Sequence, residues 1–431
     1  MAGGFLDELA WRGLLHQRTA EDALDRHLAQ SGRAAYCGFD PTADSLTIGN
    51  LVALTLLAHW QRAGHRPIVV MGGGTGLIGD PSGKDRERPL LGREQVEAHI
   101  RGQRRVLERL LDFDPDKPNA AVILDNADWL AKLRFVDFLR DVGKHFSVNA
   151  MIQKDSVRER LHQRDQGISY AEFSYMLLQA YDFLHLRREI GCTVQLAGSD
   201  QYGNIVAGID LIHRTLGTDC DAYGVTAPLL THADGRKIGK SEGGAIWLTA
   251  DRTSPYAFYQ YWINVADADV GAFLRWFTLL AREEIEAIEA SHRRAPQERL
   301  AQRALAGHMT ERLHGAQERR RVEAASDALF GRGELAALDA ATLAEVFADV
   351  PHSDHDGSRL AAGVPLVELL PTTTLAASKR EAREFLVGGA IWVNGRRAAP
   401  DHRLSKRDLL PGGLILLRRG KKHWHATRWT G

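Results

Sequence analysis

Lys237 and Lys240 stand three residues apart beside Ser241, in the polar run Thr231-His232-Ala233-Asp234-Gly235-Arg236-Lys237-Ile238-Gly239-Lys240-Ser241. Two cationic arms and a hydroxyl on a flexible loop can close over a polyphosphate. A second group lies at Thr42, Thr47 and Asn50, whose donors next to Gly49 open a helix, where backbone N–H groups and the helix dipole favour an anion. A third is Tyr175, Gln179 and Asp182, spaced i, i+4 and i+7 and so on one helical face. Their neighbours Phe173, Met176, Leu177, Leu178 and Phe183 are apolar, so the helix should be buried nearly all round. A buried Asp or Gln needs a partner, and a substrate can supply it.

The run Gly72-Gly73-Gly74-Thr75-Gly76-Leu77-Ile78-Gly79-Asp80 invites two nucleotide motifs and fits neither. Gly74 to Gly79 matches G-x-G-x-x-G, but Asp80-Pro81-Ser82-Gly83 breaks the helix that a dinucleotide site requires there. Gly83-Lys84 is followed by Asp85, where a phosphate-binding P-loop needs Ser or Thr. Two readings of the run stay open: a tight structural turn, or backbone approaching a ligand closely.

These groups need a scaffold. Apolar runs at Ala34–Phe39, Arg66–Met71, Ala121–Leu124 and Cys192–Leu196 read as buried strands, and the stretch 49–63 reads as a helix between two of them. Strands alternating with helices predict an α/β fold with a Rossmann-like parallel sheet. Residues 5–30 read as amphipathic helix. The stretch 254–330, rich in Ala, Leu, Arg and Glu, reads as all-α. Residues 331–363 read as a linker, centred on Pro351–Gly357, and 364–431 as a small α+β domain.

The 431 residues carry 55 basic and 55 acidic side chains, so the formal charge is zero. That balance argues against nucleic acid only if it is even, and it is not. Residues 371–431 hold 13 Lys/Arg and 4 Asp/Glu, a difference of +9, which leaves −9 for the rest. Basic residues there alternate with strand-like apolar runs and the turn Asn394-Gly395, a composition suited to a folded RNA-binding module. Cys37, Cys192 and Cys220 are too few and too scattered for a disulfide framework and suit a reducing cytoplasm. The early acids of the N-terminus do not read as a secretory signal, and the apolar runs are too short to span a bilayer. His423 and His425 flank Trp424 with no third ligand in view, so they read as the solvent face of a terminal strand. Trp129 and Phe138 read as core or subunit contact, and Cys37 as either a ribose contact or a small buried hydrophobe.

Four strings together are specific: Asp40-Pro41-Thr42-Ala43-Asp44-Ser45-Leu46, Gly76 to Lys84, Glu172 to Phe183, and Lys237 to Ser241. In this order they resemble a class I aminoacyl-tRNA synthetase of the bacterial tyrosyl type, from the first helix to the basic end. Thr47 to Asn50 aligns with the HIGH signature and Lys237 to Ser241 with KMSKS in its K-x-G-K-S form. The resemblance implies a catalytic domain over 1–253, with a dimer-forming insertion at about 125–165 and a mobile loop at 231–243. It also implies a helical anticodon-side domain at 254–330 and a ribosomal-protein-like RNA-binding domain at 364–431.

The implied substrates are L-tyrosine, ATP with Mg²⁺ held chiefly by phosphates and water, and tRNA(Tyr); the implied assembly is a homodimer. Tyr36 and Asp182 are expected at the tyrosine hydroxyl, and Asp80, Tyr175 and Gln179 at its ammonium. Gln201 is expected at the amino-acid end, with Gln195 organising that neighbourhood. Thr42, Thr47, Asn50, Lys84, Arg88, Lys237, Lys240 and Ser241 are expected at the phosphates. Gly38, Asp40, Gly49, Gly198 and Asp200 are expected along the rest of ATP. The chain departs from the family where the first histidine of HIGH is Thr47, whose hydroxyl donates but is never cationic.

Overall fold

The computed structural model describes residues 4–80, 91–153, 157–158, 168–236, 238, 240–241, 244–329, 333–420 and 423–431. Contacts divide the chain into two units, one of 1–253 with 261–313, the other of 254–260 with 314–431.

In the first unit six strands form one sheet: β1 (Gln17–Arg18), β2 (Ala34–Phe39), β3 (Arg66–Met71), β4 (Val122–Asp125), β5 (Val194–Gly198) and β6 (Tyr223–Ala227). Their order is β1-β6-β5-β2-β3-β4, with all pairs parallel except β1 on β6. β3 and β6 are buried almost throughout, as strands covered on both faces must be. The chain runs outward from β2 through β3 to β4, then returns to lay β5 on the other side of β2. The sheet thus reverses between β2 and β5, and the crevice beyond their carboxyl ends is where such folds hold ligands. Tyr36 pairs with Gln195 across that junction.

The helix Tyr170–Glu189 starts at Ser169, whose hydroxyl accepts from the Glu172 N–H at 3.2 Å, an N-cap. It buries Tyr175, Met176, Leu177, Ala180, Asp182, Phe183, Leu184 and Leu186. Phe183 meets the Tyr36 ring at 5.3 Å, so this helix covers the sheet face of Ala34, Tyr36, Ile68 and Val70. The segment 5–30 is broken into two helices, Phe5–Arg12 and Glu21–Leu28. Gly13 at φ 73° ends the first, and β1 intervenes.

The helical block does not stand alone. Its part 261–313 groups with the parallel sheet, where Arg12 donates to the carbonyls of Arg275, Thr278 and Leu280. Its outer parts join the second unit, where the Tyr256 N–H donates to Glu345, and Ala325 and Ala328 share a core with Leu416 and Ala426.

The second unit holds five strands, β9 (His352–Asp356), β11 (Ile391–Val393), β12 (Arg396–Arg397), β14 (Leu414–Arg419) and β15 (His423–Thr430), in the order β12-β11-β14-β15-β9. The short hairpin strands β7 (Lys240–Ser241) and β8 (Gly244–Ala245) belong to the first unit, and β10 (Val364–Pro365) pairs with β13 (Arg403–Leu404) in the second. The expected linker is therefore partly structured: 352–356 is a strand parallel to β15.

His425 departs from its expected place. It is 2% exposed, not on a solvent face. The Thr374 N–H donates to its Nδ1 at 3.3 Å, so the ring proton sits on Nε2, which donates to Ser353 Oγ at 3.0 Å. Ser353 then donates to His355 Nε2 at 2.7 Å. A second ring proton would oppose the Thr374 N–H, and burial with nearby His355 and His352 holds the His425 pKa down to about 4, against 6.5 in the open chain. Between those values the unfolded chain binds a proton that the folded chain does not, so stability falls as pH drops through this window. Thermal melting from pH 7 to pH 4 should show that loss, and His425→Asn should reduce it, the remainder coming from other depressed histidines such as His65, which burial also holds down to about 4.

Candidate functional site

At the β2–β5 crevice two polar chains meet. The first begins with Asp182, 4% exposed, whose Oδ1 accepts from Trp129 Nε1 at 2.7 Å and whose Oδ2 accepts from Asn126 Nδ2 at 3.0 Å. Asn126 also donates to Thr75 Oγ1 at 3.0 Å and accepts from the Gly74 N–H at 2.7 Å. Thr75 donates to Asp40 Oδ1 at 3.0 Å, and Asp40 Oδ2 accepts the Tyr175 hydroxyl at 3.1 Å. Burial raises the Asp182 carboxyl to about 7, against the pull of its two donors.

The Tyr36 hydroxyl is buried in electrostatic reach of Asp182 and has no hydrogen-bond partner among the described residues. Burial, with Asp182 adding to it, pushes the phenol well above its usual value, so it is a neutral donor. Gln195 Oε1 is buried and unpaired in the same sense. Groups like these cost about 1–3 kcal/mol each when left unpaired, and a ligand that completes them recovers it.

The second chain lies across the amino-acid end. Gln201 Nε2 donates to Asp80 Oδ2 at 2.8 Å and to Asp200 Oδ2 at 3.4 Å. Gln201 Oε1 accepts from Gln179 at 3.2 Å and from Asn204 at 3.0 Å, and Asn204 also donates to Gln179 Oε1 at 3.0 Å. Asp80, Gln179 and Gln201 are thus brought together, whereas Tyr175 turns its hydroxyl to Asp40.

At the helix opening, Thr47 donates both its N–H (2.9 Å) and its hydroxyl (3.1 Å) to Asn50 Oδ1. That commits the Thr47 proton and fixes Asn50, whose Nδ2 meets no acceptor among the described residues. Gly38 and Asp200 are exposed at the strand ends. A Cβ at Gly38 would meet nothing nearer than Val70 O at 4.0 Å, so packing does not require glycine there. The glycine run is different. A Cβ at Gly72 would lie 2.3 Å from Asp40 Oδ1 and one at Gly73 2.1 Å from Asp125 Oδ1, so these glycines make room for the protein's own carboxylates. After Gly74 only the 3₁₀ turn Thr75–Leu77 forms, without the helix a dinucleotide fingerprint needs. Cys37 is buried, and its thiol is pushed up to about 12 by burial, so it acts as a small neutral side chain.

Lys84, Arg88 and Lys237 lie outside the described residues, and Lys240 and Ser241 are described in backbone only, as β7. Sequence reasoning missed Asn126 and Thr75, and it placed Trp129 in the core or a subunit contact. Polar residues directly after β4, at the carboxyl edge of a parallel sheet, were the available signal. Among the described residues no helix is long and apolar enough to cross a membrane, and no three His, Cys, Asp or Glu side chains are grouped to hold a metal ion.

Residues 30–331 match the family described as tRNA synthetases class I (W and Y), and residues 342–427 match the tyrosine–tRNA ligase SYY-like C-terminal domain. The chain belongs to the class I tRNA synthetases of this tryptophanyl and tyrosyl family. It is 50% identical over 429 residues to a tyrosine–tRNA ligase of Roseiflexus castenholzii, covering 98% of this chain and 99% of that one. It is also 50% identical over 425 residues to that of Geobacillus stearothermophilus, with the same coverage of 98% and 99%. Among solved structures it is similar to a C-terminally truncated mitochondrial tyrosyl-tRNA synthetase of Aspergillus nidulans. That likeness has a TM-score of 0.69 and 30% identity, over 76% of this chain and 94% of the other.

Proposed function

We propose that the chain is a tyrosine–tRNA ligase: it joins L-tyrosine to ATP as tyrosyl-adenylate, releases pyrophosphate, and passes tyrosine to the 3′ end of tRNA(Tyr) in protein synthesis in the cytoplasm. The observation that carries this is the buried Tyr36 hydroxyl, unpaired among the described residues, beside an Asp182 whose two oxygens are already held by Trp129 and Asn126. A phenol entering there gives its proton to Asp182 and takes one from Tyr36. Phenylalanine would leave both unmatched. Tyr36→Phe should therefore cost tyrosine about 10-fold in kcat/KM, the worth of one hydrogen bond, while phenylalanine should improve, since the hydroxyl it strands is gone.

Asp80, Gln179 and Gln201 face the ammonium end, and Gln195, paired with Tyr36 across the strands, organises the neighbourhood. Tyr175 borders that end and, through Asp40, Thr75 and Asn126, holds Asp182 at the phenol end. The tyrosine carboxylate is already ionised, so attack on the α-phosphorus needs no general base. Catalysis rests on alignment and on stabilising the negative charge that develops. Asn50, fixed by Thr47, and Thr42 meet ATP at the helix opening, and Gly38, Asp40, Gly49, Gly198 and Asp200 border the nucleotide. Lys84, Arg88, Lys237 and Lys240 neutralise the departing pyrophosphate, and the Ser241 hydroxyl donates to it. ATP enters as its Mg²⁺ complex, the ion carried on phosphate oxygens and water.

The basic block 371–431 supports a tRNA surface, and the helices of 254–330 are the proposed anticodon side. Exposed Phe135 (65%), Val136 (74%), Leu139 (38%) and Val148 (56%) support a second copy of the chain docking on this segment. Tyrosine-dependent ATP–pyrophosphate exchange, followed by transfer to tRNA, tests the reading. Exchange and transfer are expected. No exchange would indicate an RNA-binding protein, and exchange without transfer a tyrosine-activating enzyme of another kind.

A further inference from the structure

The turn that precedes Lys237 is held by one buried carboxylate. Asp269 Oδ1 accepts the Ala233 N–H at 2.7 Å, and Asp269 Oδ2 meets His232 Nδ1 at 2.7 Å. Asp269 is 6% exposed, and the His232 ring packs on Phe273 at 5.3 Å, one helical turn along from Asp269. Within the turn the His232 N–H donates to Arg236 O, the Gly235 N–H to His232 O, and the Arg236 N–H to Asp234 Oδ1. Gly235 takes φ 83°, the left-handed conformation this reversal requires. The backbone is thus specified as far as Arg236, the residue before Lys237.

The helix bearing Asp269, Asp267–Phe277, is itself fixed at its far end. Three guanidinium groups donate to successive carbonyls where it terminates: Arg312 to Phe277, Arg12 to Thr278 and Leu280, and Arg62 to Leu279. Cations at a helix carboxyl end complete its unpaired carbonyls and oppose its dipole. Arg62 closes the helix Leu51–Arg62, which follows directly on Asn50. On the other side of the lysines the chain is tied to the same place: the Ile48 N–H donates to Ile246 O at 3.1 Å, and the Leu248 N–H to Leu46 O at 2.9 Å. Both flanks of the lysine segment are therefore referenced to the element that presents Thr47 and Asn50, one through backbone pairing and the other through Asp269.

We propose that Asp269, through His232 and Ala233, is a positioning residue for pyrophosphate departure, setting where the Lys237–Lys240 segment starts relative to the Thr47–Asn50 turn. It touches no substrate. This role rests on the ligase reading above. A carboxylate is suited to it because one side chain accepts two differently directed donors, which Ala cannot do and Asn does for only one.

The test is tyrosine-dependent ATP–pyrophosphate exchange by the full chain. Asp269→Ala should lower kcat roughly 10- to 100-fold, with KM for tyrosine within about twofold of the parent, because the tyrosine pocket is not built from this turn. His232→Ala should lose less, in the same direction. In a Lys240→Ala background, Asp269→Ala should add little, because the group it positions is gone. If Asp269→Ala does not fold, Asp269→Asn gives the same readout with shape retained. Unchanged kcat, a rise in KM for tyrosine that tracks the fall in kcat, or effects that multiply with those of Lys240→Ala would overturn the role. An unsubstituted chain without exchange overturns the ligase reading and this role with it; an active parent with an unimpaired Asp269→Ala overturns this role alone.

Discussion

Asp182→Ala should lower kcat/KM for tyrosine in the exchange reaction by about a thousand-fold, since it removes a charged acceptor worth about 3 kcal/mol and strands a buried phenol at a further ~1–2 kcal/mol. It also leaves Trp129 Nε1 and Asn126 Nδ2, now 2.7 and 3.0 Å from carboxylate oxygens, without their acceptor. Asp182→Asn separates charge from shape. It has a carbonyl oxygen on one side only, so its N–H₂ must confront either the Asn126 N–H₂ or the Trp129 N–H, and the charge that strengthened the phenol's hydrogen bond is gone. Both variants should fail on tyrosine while ATP binding persists. The carboxyl titrates at about 7, and its ionised form is the acceptor. The kcat/KM profile for tyrosine should therefore fall on the acid side of neutrality, reporting the free enzyme. A flat profile from pH 6 to pH 8 would mean that Asp182 does not receive the phenol proton.

Lys240→Ala should lower the exchange rate by about 100-fold or more with little change in KM for tyrosine, the cost of removing one cation from developing phosphate charge. The expectation is strengthened by the helix opening. Where the family signature has a histidine, this chain has Thr47, and its hydroxyl is committed to Asn50 Oδ1 at 3.1 Å. Less positive charge is available there, so in the proposed mechanism more of the work should fall to Lys237, Lys240 and Thr42. Exchange unaffected by Lys240→Ala would mean that the lysine segment has another task. Restoring charge with Lys240→Arg should recover part of the rate, because the guanidinium keeps the charge but changes its reach.

Four strands of the sheet were legible, since β2, β3, β4 and β5 fall where unbroken apolar runs lie, whereas β6, though buried throughout, was not read, its run being interrupted by Gly224 and Thr226. The spacing of Tyr175, Gln179 and Asp182 was legible because helical periodicity is local. Their partners were not. Asp182 is completed by Asn126 and Trp129, more than fifty residues earlier, and only the fold brings β4's carboxyl end against that helix. His425 was misplaced because a terminal strand suggested one wet face, yet β14 sends Ile415 and Leu417 into one core and Leu414 and Leu416 into another. The strand β9 gave no signal at all. Its five residues are His, Ser, Asp, His and Asp, and an edge strand held through main-chain pairing needs no apolar alternation. The zero net charge concealed its own structure, +9 against −9, until it was divided along the chain.

The claim on which the rest depends is that the Tyr36–Asp182 pocket chooses the amino acid that is activated. The direct measurement is kcat/KM for ATP–pyrophosphate exchange with tyrosine and with phenylalanine. Leaving Tyr36 and Asp182 both unmatched should cost phenylalanine about 4 kcal/mol, so tyrosine should be preferred by roughly a thousand-fold or more. Phenylalanine within tenfold of tyrosine, or a preference that survives Asp182→Ala intact, would contradict it.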